Sequence, residues 1–488
     1  MIELLGKSNV EVDDIAIDSK TVSPGTLFVA LKGHTQDGHD YIDEAIARGA
    51  SAVLLQEPIS KKYQQATKTT FIQVDDTKEA LRHLAPYFFD YPATKLNLIG
   101  ITGTNGKTTT AYLVEALLNH AGKNTGLIST IATRYGQHEK KAKNTTPGLL
   151  DLQKIFSEME QASVTDVVME VSSHALDQER VAGCSFESAV FTNLTQDHLD
   201  YHKTMENYFA AKKILFEQTK GQWIVNLDDL WGKKLQETAP GRVWGYGIDH
   251  HDSLYPICFK STLAGLSMTA QTPIGEIEIE ARLSGRHNVY NVLAAIGVGI
   301  ASGLSRMQIT EGIAVLKQVP GRFEKIDLGQ DFTVIVDYAH TPDALERLLS
   351  AVKTLAPNKI ITCFGCGGDR DRGKRPLMGV AAMQSDFVIL TSDNPRSEAP
   401  EKILDDIASG ISAHSKKTGH PCNYEIISDR REAISQAIAL AKTGDVILIA
   451  GKGHETDQQI GTQTLPFDDR DCARQALIAQ NKINNEKR

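Results

Sequence analysis

The run Gly103-Thr104-Asn105-Gly106-Lys107-Thr108-Thr109 leaves the chain few folds to choose from, because of what flanks it. Leu96–Thr102 before it reads as a β-strand, and apolar residues at 113, 114, 117 and 118 after it carry a helical period. Glycines at 103 and 106 let the backbone turn tightly and aim its N–H groups at an anion. The helix that follows brings the positive end of its dipole to the same point. In such a loop Lys107 offsets the charge of the terminal phosphates, and the Thr108 hydroxyl ligates Mg²⁺. One position departs from the usual spacing: Ile101 stands where a first glycine is expected. The plain alternative is a glycine-rich turn with a solvated lysine, and the strand before and helix after weigh against it. The loop predicts ATP, although by itself it does not exclude GTP.

At 488 residues the chain is too long for one core. Three segments are expected: 1–91, 92–319 and 320–488. The first alternates short apolar runs (Leu27–Leu31, Ala52–Leu55, Phe71–Val74) with helical stretches such as Tyr41–Arg48, and closes at Tyr91-Pro92. The second adds strand candidates at Asp166–Val171, Ala189–Thr192 and Gln222–Val225, with alternation over Ser267–Ala281 that suggests an antiparallel addition. The third repeats strand and helix: Thr333–Val336, Pro342–Leu355, Ile360–Phe364, Phe387–Leu390, Glu425–Ile427 and Val446–Ala450. The expected class is α/β in three domains. A small α/β N-terminal domain precedes a central, doubly wound, mostly parallel sheet of the phosphate-loop type, and a Rossmann-like C-terminal domain follows. The polar tail 481–488 is expected to fray.

Composition excludes several classes. No stretch approaches the ~20 apolar residues that span a bilayer, and residues 1–10 lack the pattern of a secretory signal. Six scattered cysteines do not form a disulfide framework, so a cytoplasmic setting is expected. Cys363 and Cys366 make a C-x-x-C with no second pair at zinc spacing, and packing explains them better than redox chemistry. A net charge of −9 without a basic block argues against nucleic acid.

Ligands of open α/β sheets bind at the carboxyl ends of strands. Glu170-Val171-Ser172-Ser173-His174 stands at such an end, and so does Thr195-Gln196-Asp197-His198-Leu199-Asp200-Tyr201-His202. Glu170 as oxygen donor and His198 as nitrogen donor are candidate ligands for a hard cation beside the loop. Either histidine alone would read as structural. Lys212 sits on an amphipathic helix, where spacing alone makes it a solvated lysine.

Taken in order, these motifs resemble the Mur ligase family along essentially the whole chain. The resemblance also takes in Asp18-Ser19, Gly33-His34, Asn144-Thr145-Thr146-Pro147, Asp337-Tyr338-Ala339-His340-Thr341-Pro342, Gly365–Pro376, Asp393–Arg396 and Gly451–Glu455. It implies an ATP-dependent, amide-forming ligase of peptidoglycan synthesis that adds meso-diaminopimelate to UDP-N-acetylmuramoyl-L-alanyl-D-glutamate, as a monomer. By position it implies that Ile17, Ser19, His34, Thr35 and Gln36 lie near the uridine nucleotide. Asn144, Thr145, Thr146, Ser172, Gln178 and Arg180 then hold the muramoyl dipeptide. His287, Asn288 and Asn291 contact adenine, and Arg322 and Asp337 reach the nucleotide from the third segment. Lys212 becomes a carbamate that serves as a ligand for Mg²⁺, beside the catalytic Lys107, Glu170 and His198.

Arg370, Asp393, Asn394, Pro395, Arg396, Gly451 and Glu455 match acceptor contacts. Arg396 carries the specificity, since a guanidinium grips the far carboxylate of diaminopimelate and repels the ammonium of lysine. The rival readings are a sister ligase adding lysine or acting at another peptide step, folylpolyglutamate synthetase, and a nucleotide-binding switch. The third segment also predicts closure over bound substrate.

Overall fold

The structure, a computed structural model, describes residues 3–7, 9–33, 36–63, 68–239, 241, 243–262, 264–354 and 357–486, with backbone alone at 3 and 481–486. The chain divides into two compact units. The first comprises Met1–Leu96, Pro147–Ser163 and Asp177–Ser185. Its five strands lie in the order Glu3–Leu5, Thr70–Gln73, Ala52–Leu55, Thr26–Val29, Asp14–Ala16, parallel except at the first. Thr26–Val29 and Ala52–Leu55 are buried along their whole length, as strands covered on both faces are. Ile42 and Ala45 of the helix Ile42–Ala47 cover one face, against Phe28 and Val53. Leu81 and Ala85 of the helix Thr77–Phe88 cover the other. That second helix is capped by the Asp76 carboxylate, which accepts from the N–H groups of Lys78 and Glu79.

Near the expected boundary at 91 the backbone takes positive φ at Asp90 and Tyr91 and enters the short 3-10 helix Pro92–Lys95. The helix Leu149–Gln161 nevertheless belongs to the first unit, where Leu149 and Leu150 pack on the Leu81 side. Periodicity reveals a helix's apolar face, not the partner that face will find.

The second unit contains an eight-stranded sheet. Its order is Val243–Tyr246, Thr219–Asn226, Phe186–Phe191, Asn97–Thr102, Asp166–Glu170, Thr125–Ile128, Ala132–Tyr135, His138–Lys141. The first six strands run parallel and the last two fold back antiparallel. Parallel pairing puts the carboxyl ends of Asn97–Thr102 and both its neighbours on one edge. That edge collects the loop at 103–109, Glu170, and the segment from Thr192 onward. The helices Lys107–His120 and Arg286–Ala301 are buried on nearly all sides, which is why neither has a pronounced polar face. The alternation at 267–281 becomes an antiparallel sheet of Tyr255–Thr262, Gly265–Gln271 and Ile277–Ala281. Buried and exposed residues take turns along its last strand.

The same unit holds a six-stranded C-terminal sheet. Its order is Glu324–Ile326, Thr333–Asp337, Val446–Ala450, Ile360–Phe364, Phe387–Leu390, Tyr424–Ile426, with only the first strand antiparallel. The helix Asp469–Glu486 packs Cys472, Ala473 and Leu477 beneath it and takes in most of the tail expected to fray. Cys363 and Cys366 are buried and unbonded, and burial pushes each thiol up to about 12, leaving no thiolate for redox chemistry. Among the described residues no helix is long and apolar enough to cross a membrane.

Candidate functional site

At the end of Asn97–Thr102 the backbone adopts φ +145° at Gly103 and +91° at Gly106. A Cβ at 103 would sit 1.9 Å from Thr192 Oγ1, and one at 106 would sit 2.5 Å from Asn291 Oδ1, so both places require glycine. The segment after the strand Phe186–Phe191 pins the turn: Thr192 Oγ1 donates to Asn105 O at 2.6 Å, and Asn193 Oδ1 accepts from Asn105 N at 2.9 Å. Lys107 Nζ donates to Gly103 O at 3.0 Å and to Thr104 O at 2.9 Å. From the helix Met205–Glu217, Lys212 Nζ reaches the same Gly103 O at 2.9 Å.

Lys212 is therefore no solvated lysine; it is 1% exposed. Burial, and then the neighbouring Lys107, pull its amine well below the ordinary lysine range. Burial also lowers Lys107, with Glu170 pulling the other way. A signal for Lys212 was present in the sequence. It falls on the stripe of Tyr208, Ala211, Leu215 and Phe216, which is the buried face of its helix.

Glu170 has no exposed surface; its carboxylate accepts from Thr130 N at 2.9 Å and Thr130 Oγ1 at 3.1 Å. His198, at φ +55°, meets the His174 ring edge-on at 4.8 Å. Burial drives His198 down to about 3 despite the pull of Asp197, so its imidazole is neutral. Glu170 acts electrostatically on Lys107, and Lys107 acts on His198, so both lie near the loop lysine. Asp197 lies 3.4 Å from Lys374 Nζ, 3.4 Å from His198 Nε2 and 3.7 Å from His340 Nε2. Burial would raise its carboxyl, but Lys374 and then His340 hold it well below the usual carboxylate range. Sequence reading quoted Asp197 and Lys374 only within longer runs and gave neither a role, because a lone Lys and Asp 177 residues apart carry no spacing signal.

Among the described residues one compact triad of carboxylate and imidazole donors lies elsewhere, at Asp37, His39 and Glu57. There His39 Nε2 accepts from Gln56 N at 3.1 Å and Nδ1 faces Asp37 at 2.6 Å, so both ring nitrogens are already engaged.

His287, Asn288 and Asn291 line one pocket with Asn105, Gly106 and Thr109 of the loop and with Arg322, Asp337 and Arg347 of the C-terminal segment. Arg322 Nη2 donates to Thr108 Oγ1 at 3.0 Å, while its guanidinium lies 4.5 Å over the Tyr338 ring. Asp337 accepts from Phe323 N and Ala339 N, both at 2.7 Å. Asn105 Nδ2 donates to Asp343 Oδ2 at 3.1 Å.

Burial lowers His287 to about 4 and His454 to about 3, from an unfolded value near 6.5. Below 6.5 the unfolded chain then binds more protons than the folded one. Stability should be full above that value and decline as pH falls toward 4. A series of Tm values from pH 7.5 to 4 checks this, with His287→Gln flattening the slope. A Tm that climbs on acidification would contradict it.

The acceptor candidates collect at the edge of the C-terminal sheet. Arg396 adopts φ +52°, a strained conformation for a long side chain. It is held by Arg396 N to Gln459 O at 3.1 Å and Gly461 N to Arg396 O at 2.7 Å. Its Nη1 donates to Gly368 O at 2.7 Å. Burial, and next the like charge of Arg370, push this guanidinium below its ordinary value. Two arginines facing each other favour an anion between them. Asn394 Nδ2 donates to Glu455 Oε2 at 2.9 Å, and Lys452 Nζ bridges Asn394 Oδ1 and Glu455 Oε2 at 3.0 and 2.7 Å.

Three family models match in order: "Mur ligase family, catalytic domain" at residues 11–89, "Mur ligase middle domain" at 101–299, and "Mur ligase, glutamate ligase domain" at 321–453. A UDP-N-acetylmuramoyl-L-alanyl-D-glutamate--2,6-diaminopimelate ligase of Bacillus cereus is 46% identical, over 98% of this chain and 96% of the relative. The chain belongs to the Mur ligase family. A ligase of the same name from Solibacter usitatus is 47% identical, over 96% of this Mur ligase and 94% of its own length. A solved structure of that ligase superposes with a TM-score of 0.65 at 32% identity, covering 96% of this chain and 95% of the other.

The residues that the family likeness assigns to the uridine substrate divide between the two units. Ile17, Ser19, Gln36, Gln178 and Arg180 belong to the first, and Asn144, Thr145, Thr146 and Ser172 to the second. His34 and Thr35 lie outside the described residues. In the first unit Ser19 Oγ donates to Glu44 Oε2 at 2.8 Å, and Gln178 Oε1 accepts from Arg180 Nη2 at 2.7 Å. In the second, Thr146 Oγ1 donates to Glu170 O at 2.9 Å and accepts from Ser172 N at 3.0 Å. Thr145 Oγ1 lies within hydrogen-bond distance of Thr130 Oγ1, at 3.1 Å. Thr130, unnoticed in the sequence, thus ties this Mur ligase's dipeptide candidates to Glu170.

Proposed function

We propose that this Mur ligase uses ATP to join the D-glutamate of UDP-N-acetylmuramoyl-L-alanyl-D-glutamate to meso-diaminopimelate, as a monomer in the cytoplasm, in peptidoglycan precursor synthesis. The observation that carries the reading is the meeting of Lys107 and Lys212 on one carbonyl, Gly103 O, at 3.0 and 2.9 Å inside a buried loop. Lys107 and the N–H groups of the loop make this a place receptive to a polyanion, and the depressed amine of Lys212 is brought to the same point. Full-length likeness to relatives named for 2,6-diaminopimelate supports the acceptor.

A dipeptide carboxylate attacks the γ-phosphorus of ATP, the bond to ADP breaks, and an acyl-phosphate forms. The diaminopimelate amine then adds to the acyl carbon. The tetrahedral intermediate collapses, phosphate leaves and the new amide nitrogen loses a proton. Lys107 and the N–H groups of the loop hold the phosphates and offset the charge that develops on them. His287, Asn288 and Asn291 hold the adenine, with Arg322 and Asp337 on the nucleotide. Ile17, Ser19, His34, Thr35 and Gln36 take the uridine group, and Asn144, Thr145, Thr146, Ser172, Gln178 and Arg180 take the muramoyl dipeptide. Arg370, Asp393–Arg396, Gly451 and Glu455 take diaminopimelate.

The donor set fits Mg²⁺: the Thr108 hydroxyl and Glu170 carboxylate are hard oxygens, and His198, kept neutral, keeps its lone pair. Mg²⁺, when bound, offsets phosphate charge during the transfer. Lys212 joins that set as a carbamate. A depressed amine stays unprotonated, as addition to CO₂ requires, and the new N–C bond forms with release of one proton.

The test is ADP formation with the UDP-linked dipeptide and either meso-diaminopimelate or lysine, with product masses read in parallel. ADP and tripeptide are expected only with diaminopimelate. Equal turnover with lysine would reassign the acceptor, and stimulation by folate with glutamate would favour a folylpolyglutamate synthetase.

A further inference from the structure

We propose that Arg430 is a positioning residue that sets the acceptor site from behind, by holding two strand ends at a fixed spacing; this rests on the acceptor reading above. Arg430 opens the helix Arg430–Leu440, and neither it nor its partner Asp469 has side-chain surface exposed to solvent. Nε donates to Asp469 Oδ1 and Nη2 to Asp469 Oδ2, both at 2.7 Å, a two-pronged pairing. The fork has further donors. Nη2 also donates to Ala450 O at 2.9 Å, and Nη1 makes a longer bond to Ser392 O at 3.4 Å.

Both carbonyls stand directly before acceptor residues. Ala450 ends the strand Val446–Ala450 and precedes Gly451–Glu455; Ser392 precedes Asp393–Arg396. Those two strands are not neighbours, because Ile360–Phe364 runs between them. No hydrogen-bond ladder therefore joins them directly; the side chains of Lys452, Asn394 and Glu455 link the residues beyond the strand ends, and the rigid planar guanidinium adds a crosswise link at the two backbone carbonyls. The spacing is tight: a Cβ on Gly451 would lie 2.6 Å from Asp393 Oδ2.

Stability alone is a weak reason for such a pair. An apolar pair of similar volume serves a core about as well as a buried ion pair. What an apolar pair lacks is donors for the Ser392 and Ala450 carbonyls.

That difference defines the experiment, made in the full-length enzyme with Arg430→Met/Asp469→Leu. The double variant is expected to fold with a Tm somewhat below that of the parent, since two carbonyls lose a donor, while the KM for diaminopimelate rises at least about tenfold. The KM values for ATP and for the UDP-linked dipeptide should stay within about twofold. An unchanged diaminopimelate KM in the folded variant, or an equal rise in all three constants, would overturn the proposal. If the double variant does not fold, Asp469→Asn loosens the fork at nearly constant volume. It should raise the same single KM, and no rise would again overturn the proposal. The parent enzyme runs alongside: ADP formation indifferent to diaminopimelate in the parent would overturn the acceptor reading itself.

Discussion

Lys107→Met is expected to lower kcat/KM for ATP by about 10³-fold, equivalent to about 4 kcal/mol of transition-state stabilisation. The side chain is placed for this by its own loop. Its amine rests on Gly103 O and Thr104 O, within a turn whose positive φ values no side chain could adopt cheaply. Methionine keeps most of the length and removes the charge. The fold should survive, because the helix behind the loop is anchored by Leu113, Val114, Leu117 and Leu118, all without exposed surface. Steady-state ADP release together with a melting curve checks the prediction. Loss of activity with an unchanged Tm is the expected pairing.

Arg396→Ala is expected to raise the KM for diaminopimelate by at least about 30-fold, from the ~2–5 kcal/mol lost when one partner of a buried charge pair is truncated. The KM for ATP should hardly move, since ATP is assigned to the pocket at Asn105, His287 and Asn291. The loss should exceed a simple deletion of charge. Arg396 occupies a left-handed conformation fixed by Gln459 and Gly461, so its guanidinium is already aimed before the acceptor arrives. Arg396→Lys should recover little, because an ammonium cannot supply a two-pronged contact. Initial rates at varied diaminopimelate and fixed ATP make the measurement.

These two residues were legible in the chain because each stands in a short run with its own local signature. Gly103 to Thr109 encodes a turn, and Asp393 to Arg396 follows an apolar run that became the strand Phe387–Leu390 without adjustment. Ala52–Leu55, Ile360–Phe364 and Val446–Ala450 likewise form where their apolar runs lie. Buried parallel strands announce themselves through continuous apolar residues.

Pairings between distant segments were not legible. Lys374 on Asp197, Thr130 on Glu170 and Arg430 on Asp469 join residues that share no local pattern. Lys212 is the intermediate case. Its helix carried the buried stripe, but a lysine on such a stripe reads as an error until the loop carbonyl that receives it is seen. The helix Leu149–Gln161 taught the same lesson at larger scale, joining the first unit from far along the chain.

The central claim is that a substrate carboxylate takes the γ-phosphoryl group at the Gly103–Thr109 loop before the amide forms. Oxygen-18 in the carboxylates of the dipeptide's glutamate tests it directly, with the released phosphate analysed by mass spectrometry. One heavy oxygen in each phosphate is expected, matched one to one with new amide. Amide formation accompanied by unlabelled phosphate would contradict it.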